Sequence, residues 1–143
     1  VTRSADIDFT FNGSIDVSVT LHALLAAGVR PSGADEVAYV IDEDGMFDWQ
    51  RSAASGLDEV ISRMADTRWT DRVVGVTLLF PEVDCGGDFL FHPGRTSLSC
   101  VINVNPKYLP DSSRFCDIGW YLERLVPLLD PLGLSEIETR DSP

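Results

Sequence analysis

Apolar side chains recur along this chain at two periods, and the switches between them mark out its elements. In DIDFTF (6–11) they alternate, with Ile7, Phe9 and Phe11 on one face, which predicts a half-buried strand. Asn12-Gly13 breaks that pattern. From about 16 to 27 the spacing becomes helical, with Val17, Leu21, Leu24 and Leu25 in one stripe. Ser14 or Asp16 is placed to cap that helix and Gly28 to stop it. RPSGADE reads as a loop, EVAYVI as a strand, DEDG as a turn, and MFDWQ as a returning strand.

The second helix is expected in RSAASGLDEVISRMADTRW, where Leu57, Val60, Ile61 and Met64 share a face. Ser55 followed by Asp58 resembles a capping box there, with Asp in place of Glu. VVGVTLLF (73–80) is the most apolar strand and is expected inside the sheet. CGGDFLFHPG (85–94) has a glycine break, a short strand carrying Phe89 and Phe91, and a Pro93-Gly94 turn. SLSCVINVN (97–105) alternates again, with Leu98, Cys100, Ile102 and Val104 together. After the loop PKYLPDSSR, Asp117 caps a third helix faced by Ile118, Leu122, Leu125 and Leu129, which Pro127 is expected to kink or end. LSEIETR reads as a last, edge strand.

The order is therefore β-α-β-β-α-β-β-β-α-(β). Strands follow one another as hairpins and meanders, so the expected fold is α+β: a mostly antiparallel sheet with about three helices against it. No linker, low-complexity segment or fixed-period repeat interrupts the pattern, and 143 residues suit a single domain, 1–143, with a core of its own.

Composition narrows the function. The hydrophobic fraction of 44% and charged fraction of 24% belong to a folded, soluble protein. No apolar run approaches the roughly 18 to 20 residues of a spanning helix, and VTRSADIDF has no apolar stretch suited to a signal peptide. Three cysteines, Cys85, Cys100 and Cys116, none in CxxC spacing, are expected as reduced thiols in a cytoplasmic protein. The formal net charge is −12, and of 11 basic residues only Lys107 is lysine. Such acidity argues against nucleic acid and anionic membrane surfaces as partners, because phosphate binding requires Lys and Arg. It favours fast association with something basic.

The acid is unevenly spread. Asp35, Glu36, Asp42, Glu43, Asp44 and Asp48 fall within residues 31–50, which hold no Lys or Arg, and Glu82, Asp84 and Asp88 form a smaller cluster. These nine are the candidate partner-binding residues, with solvated loops as the plainer reading. Within them, YVIDEDGMFDWQ sets four carboxylates beside Tyr39, Phe47 and Trp49. Strand alternation there sends Phe47 and Trp49 to one face, so the two aromatics are either core or interface.

The usual chemical signatures are missing. Aligned as a calcium loop on Gly45, the segment places Asp42 and Asp44 at positions three and five. Val40 and Arg51 then fall where the terminal carboxylates belong. His22 and His92 have no ligand partners at zinc spacing. There is no GxSxG, and Gly86-Gly87 lacks the phosphate-loop patterns. Cys116 precedes the third helix, whose positive end lowers a thiol pKa, but no histidine is near it in sequence. No catalytic residue, metal or cofactor is expected.

Two stretches carry a resemblance. VVGVTLLFPEVDCGGDFLFHPGRTSLSCVINVN and DIGWYLERLVPLLDPLGL, together with the upstream LHALLAAGV and GMFDWQ, are similar to small acidic bacterial immunity proteins of polymorphic toxin systems, over about residues 6 to 138. The resemblance implies a non-catalytic protein that neutralises a basic toxin domain by tight binding. It carries over no contact residues. Two alternatives stay open. One is a small enzyme or ligand binder with a pocket between sheet and helices near His92, Cys116, Trp120 and Tyr121. The other is a structural or adaptor subunit that pairs through the edge strand at 134–140.

Overall fold

Strand alternation and helical stripes both materialise, and they assemble into one antiparallel sheet covered on a single face. The structure, a computed structural model, describes residues 4–31 and 35–143. Its strands are β1 (Ser4–Phe11), β2 (Arg30–Pro31), β3 (Glu36–Ile41), β4 (Trp49–Ala53), β5 (Val74–Leu79), β6 (Gly86–Phe91), β7 (Ser97–Val104) and β8 (Leu134–Ser142). The helices are α1 (Val17–Ala26), α2 (Leu57–Met64) and α3 (Ile118–Leu129). The fold is α+β, as expected. Only the two-residue β2 is additional, and it lies in the predicted loop RPSGADE, of which 32–34 fall outside the described residues.

The strands run β4-β3-β5-β6-β7-β1-β8 across the sheet, with β2 also on β5. The first strand thus lies between β7 and β8, and the last closes one edge. β5 is interior, as its continuous apolar run required. Register assigns the faces. Ile7 and Phe9 of β1, Val76 of β5, and Phe89 and Phe91 of β6 are all buried on the side where α1, α2 and α3 pack. Each phenylalanine contributes about 2–3 kcal/mol by leaving water. The opposite face carries Asp6, Asp8, Ser99, Asp88, Thr77 and Arg51, and no helix among the described residues covers it.

Helix ends follow local chemistry, with three corrections. Asp16 caps α1 by accepting from the Val19 N–H at 2.9 Å, and Gly28, at φ +95°, ends it. Asp117 caps α3 through the Trp120 N–H at 3.2 Å. Ser55, in contrast, caps nothing. A 3-10 turn over Ala54–Gly56 leads directly into α2, whose N-cap is Gly56 without a side-chain bond. The buried stripe of α3 is Tyr121, Leu125 and Leu129, with Leu122 only half-buried. Pro127 does not end α3. It sits exposed in the last turn, where the one hydrogen bond it removes is the last-turn bond to the Glu123 carbonyl.

Two devices set the strand connections. Gly86 and Gly87 open β6 at a bulge against β7, where a Cβ on Gly86 would meet the Leu78 carbonyl and one on Gly87 the Val101 carbonyl. The predicted glycine break is therefore part of the strand, required by backbone proximity. Arg95, 6% exposed, donates from Nη1 to the carbonyls of Arg72 (2.7 Å), His92 (2.9 Å) and Phe91 (3.1 Å), and from Nη2 to that of Trp69 (2.7 Å). It ties the turn after β6 to the segment before β5. Burial pulls its pKa down, and Asp71 acts in the opposite sense.

Candidate functional site

The β3–β4 connection differs from the tight hairpin its sequence predicts. β4 begins at Trp49, so 42–48 is a loop. Its own carboxylates explain why. Asp42 Oδ1 accepts from the Phe47 N–H at 3.0 Å, and Asp44 Oδ1 from the Met46 N–H at 2.9 Å. Aspartates that bond nearby main-chain N–H groups offer the backbone an alternative to the strand ladder. Asp42 is itself anchored, its N–H donating to the Val73 carbonyl at 2.9 Å. Gly45 and Phe47 take positive φ, +80° and +56°. Such a conformation is uncommon for a bulky residue and is held here by the loop's bonds.

Strand alternation therefore fails at Met46–Asp48, and the aromatics do not enter the core. Met46 is 68% exposed and Phe47 and Trp49 38% each. Phe47 and Trp49 meet edge to face, with ring centroids 6.4 Å apart. Glu43, Asp44 and Asp48 are exposed around them and Asp42 is half-buried. Among the nine predicted acids, these four are brought together with exposed apolar side chains.

The remaining five lie elsewhere. Asp35 and Glu36 precede and begin β3, at the end opposite the loop, and Glu36 pairs with Arg51 at 3.2 Å, both exposed. Glu82 and Asp84 occupy the β5–β6 connection, separated from Asp42 by the length of β5, roughly 20 Å at 3.3 Å per residue. Asp88 is in mid-strand on the helix-free face. Thr77 Oγ1 donates to its Oδ1 at 2.7 Å and Asn103 Nδ2 to its Oδ2 at 2.8 Å. Near it, Ala38, Trp49, Gln50, Arg51, Thr77 and Asp88 line an open depression of about 330 Å³.

A polar chain crosses the same face. Ser99, 7% exposed, donates from Oγ to Asp8 Oδ1 at 2.5 Å, and His92 Nε2 lies 2.7 Å from the Ser99 Oγ. The three residue types match a hydrolytic triad, but the connectivity does not. The serine is in the middle and its proton is committed to Asp8, so Nε2 serves as a donor and not as its base. Sequence reasoning missed Asp8 and Ser99. The alternation in DIDFTF already placed Asp6 and Asp8 away from the core, whereas their partners depend on register. Asp6 has its pKa raised, first by burial, then by Asp8, with Arg140 pulling the other way.

The thiols are poorly suited to chemistry. Burial pushes Cys100 far up, with Asp88 and Asp6 adding to it, and burial then Asp84 raise Cys85. Cys116 is buried, and its N–H donates to Asp141 Oδ2 at 2.6 Å. Tyr121 is buried against Phe80 and Trp120, its hydroxyl accepting from the Lys107 N–H at 2.9 Å. His92 belongs to the helix-free face and Cys116 and Tyr121 to the core on the other side, so among the described residues these side chains, named for the alternative of a pocket between sheet and helices, do not meet in one site. Among the described residues, no group of three or more His, Cys, Asp or Glu is arranged to hold a metal ion, and no helix is long and apolar enough to cross a membrane. No family model matches the chain, and no curated protein or solved structure matches it significantly.

Proposed function

We propose that this chain is a non-catalytic binding protein that neutralises a basic protein partner, as an immunity protein neutralises its toxin. The observation that carries this reading is the exposed trio Met46, Phe47 and Trp49, two on the loop 42–48 and one at the start of β4, beside the loop's Asp42, Glu43, Asp44 and Asp48. Interfaces draw their residence time from aromatic anchors near the centre and their encounter rate from complementary charge around them. The segment supplies both ingredients within eight residues. Its bonds through Asp42 and Asp44 hold it in one shape before binding, which lowers the ordering cost of association. The net charge of −12 extends the attraction beyond the patch. On this reading the protein acts in the cytoplasm, where its partner must be blocked.

The test is co-purification with the product of the neighbouring reading frame, a basic toxin domain on this reading, followed by kinetics. Phe47→Ala and Trp49→Ala are expected to speed dissociation, by about 2 kcal/mol in affinity for a true anchor. An unchanged dissociation rate in both variants removes the patch from the interface.

A second reading has one observation in its favour. The depression lined by Trp49, Arg51, Thr77 and Asp88 has the size of a small-ligand site and a carboxylate fixed by two hydrogen bonds. A ligand screen by thermal shift supports it if a hit is lost in Asp88→Asn while that variant melts like the wild type.

A further inference from the structure

Among the described residues, β8 is the longest strand and is paired on one side only, with β1. Its hydrogen-bonding polarity can be read from its neighbour. The Phe11 N–H donates toward β7, to the Thr96 carbonyl at 2.9 Å, and the Asn12 N–H donates toward the β8 side, to Gly133 at 2.8 Å. Even-numbered residues of β1 therefore bond to β8. Asp8 is opposite Glu138 and Asp6 opposite Arg140. The main chain of Glu138 and Arg140 thus points inward, and that of Ile137 and Thr139 faces the open edge.

The charges on this edge are unbalanced in one copy. Glu138 stands directly across from Asp8, a like-charge pair that destabilises a ladder. On the other side of β8 a second β8 in antiparallel orientation would meet it, and charge selects among the registers. With Glu138 on a two-fold axis, two Glu136–Arg140 contacts are offset by glutamate facing glutamate at the centre. With Arg140 there, arginine faces arginine, and with Ile137 there, Glu136 faces Glu138 twice. With Thr139 on the axis, each Glu138 faces the second copy's Arg140, twice over by symmetry. The row across the joint then reads Asp8, Glu138, Arg140, Asp6, and the unmatched Glu138 gains a cation. On the helix side of the sheet the same register sets Ile137, 38% exposed, against Asp141. That is beside the loop held by Cys116, which displays Leu109 and Phe115.

We propose that β8 is a self-association edge at which two copies of this chain pair antiparallel about Thr139, joining their sheets through Glu138–Arg140 contacts. A long edge strand presents a row of unpaired N–H and C=O groups, which a second strand of matching charge can pair with. The acidic loop before β4 is at the other edge of the sheet and stays free in the pair.

Sedimentation velocity on the full chain, from micromolar to several hundred micromolar at low salt, tests this. The wild type is expected to move from 15.7 kDa to twice that mass. Glu138→Arg and Arg140→Glu, singly, are expected to weaken the dimer about tenfold or more, because each creates two like-charge contacts. The double exchange is expected to restore it. Glu138→Arg also removes the repulsion with Asp8, so it is expected to raise the monomer's Tm while weakening the dimer, which a merely structural role would not do. Thr139→Pro removes an outward N–H, leaves the ladder to β1 in place, and is expected to abolish pairing. A wild type that stays at 15.7 kDa throughout, single reversals or a proline variant that self-associate like the wild type, or a double exchange that fails to restore pairing would each overturn the proposal.

Discussion

At the scale of single residues, Arg95 and Asp6 show how little of a side chain's role is visible in its sequence neighbourhood. Arg95 reads as a turn residue after Pro93-Gly94, yet its guanidinium closes four main-chain carbonyls. Arg95→Met keeps the stem and leaves those carbonyls without their donor, so a loss of about 3 kcal/mol or more is expected in urea unfolding. A variant within about 0.5 kcal/mol of wild type would show that the carbonyls find other donors. Asp6 was legible as a polar strand position, but its neighbours were not. Its pKa is raised above the usual 3.8, so the folded state holds that proton more tightly than the unfolded chain. Its contribution is therefore most favourable below pH 3.8 and is lost as pH rises through the folded value. Asp6→Asn is accordingly expected to raise Tm at pH 7, with the gain shrinking toward pH 3. A gain that grows on acidification contradicts the assigned cause, burial followed by Asp8.

At the scale of elements, the chain was largely readable, because period-two and period-3.6 patterns report burial directly. β1, β3, β5, β7, α1 and α3 lie where alternation or a stripe placed them, and Asp16 and Asp117 cap as their positions require. Two of the departures share one origin, a local rule overridden by a bond or a backbone contact that periodicity does not encode. MFDWQ has strand composition, but Asp42 and Asp44 capture the N–H groups of Phe47 and Met46 and delay β4 to Trp49. Gly86-Gly87 reads as a break, but its lack of Cβ atoms is what lets β5, β6 and β7 approach. Gly87→Ala is expected to cost about 2 kcal/mol or more, because the new methyl meets the Val101 carbonyl and not a movable side chain. Equal stability in denaturant would mean that the bulge relaxes freely.

At the scale of the whole molecule, acidity and its clustering were plain from composition, while its layout was not. Asp35 through Asp48 look like one patch along the chain. β3 runs through the middle of that stretch and carries Glu36 and Asp42 to opposite ends of the sheet. What survives is a smaller and more specific feature, four carboxylates around Met46, Phe47 and Trp49. The exposure of the two aromatics, open in the sequence, is what sets large apolar side chains on the surface beside the loop's charge. On the proposed reading, these carboxylates accelerate capture of a basic partner. The direct measurement is the association rate with the co-purified partner across ionic strength, for wild type and for the combined variant D42N/E43Q/D44N/D48N, whose amides keep the acceptors that shape the loop. The association rate of the variant is expected to fall about tenfold or more at low salt, with the difference closing near 1 M, where the screening length is about 3 Å. Equal association rates at every salt concentration, or no partner captured by either form, would contradict it.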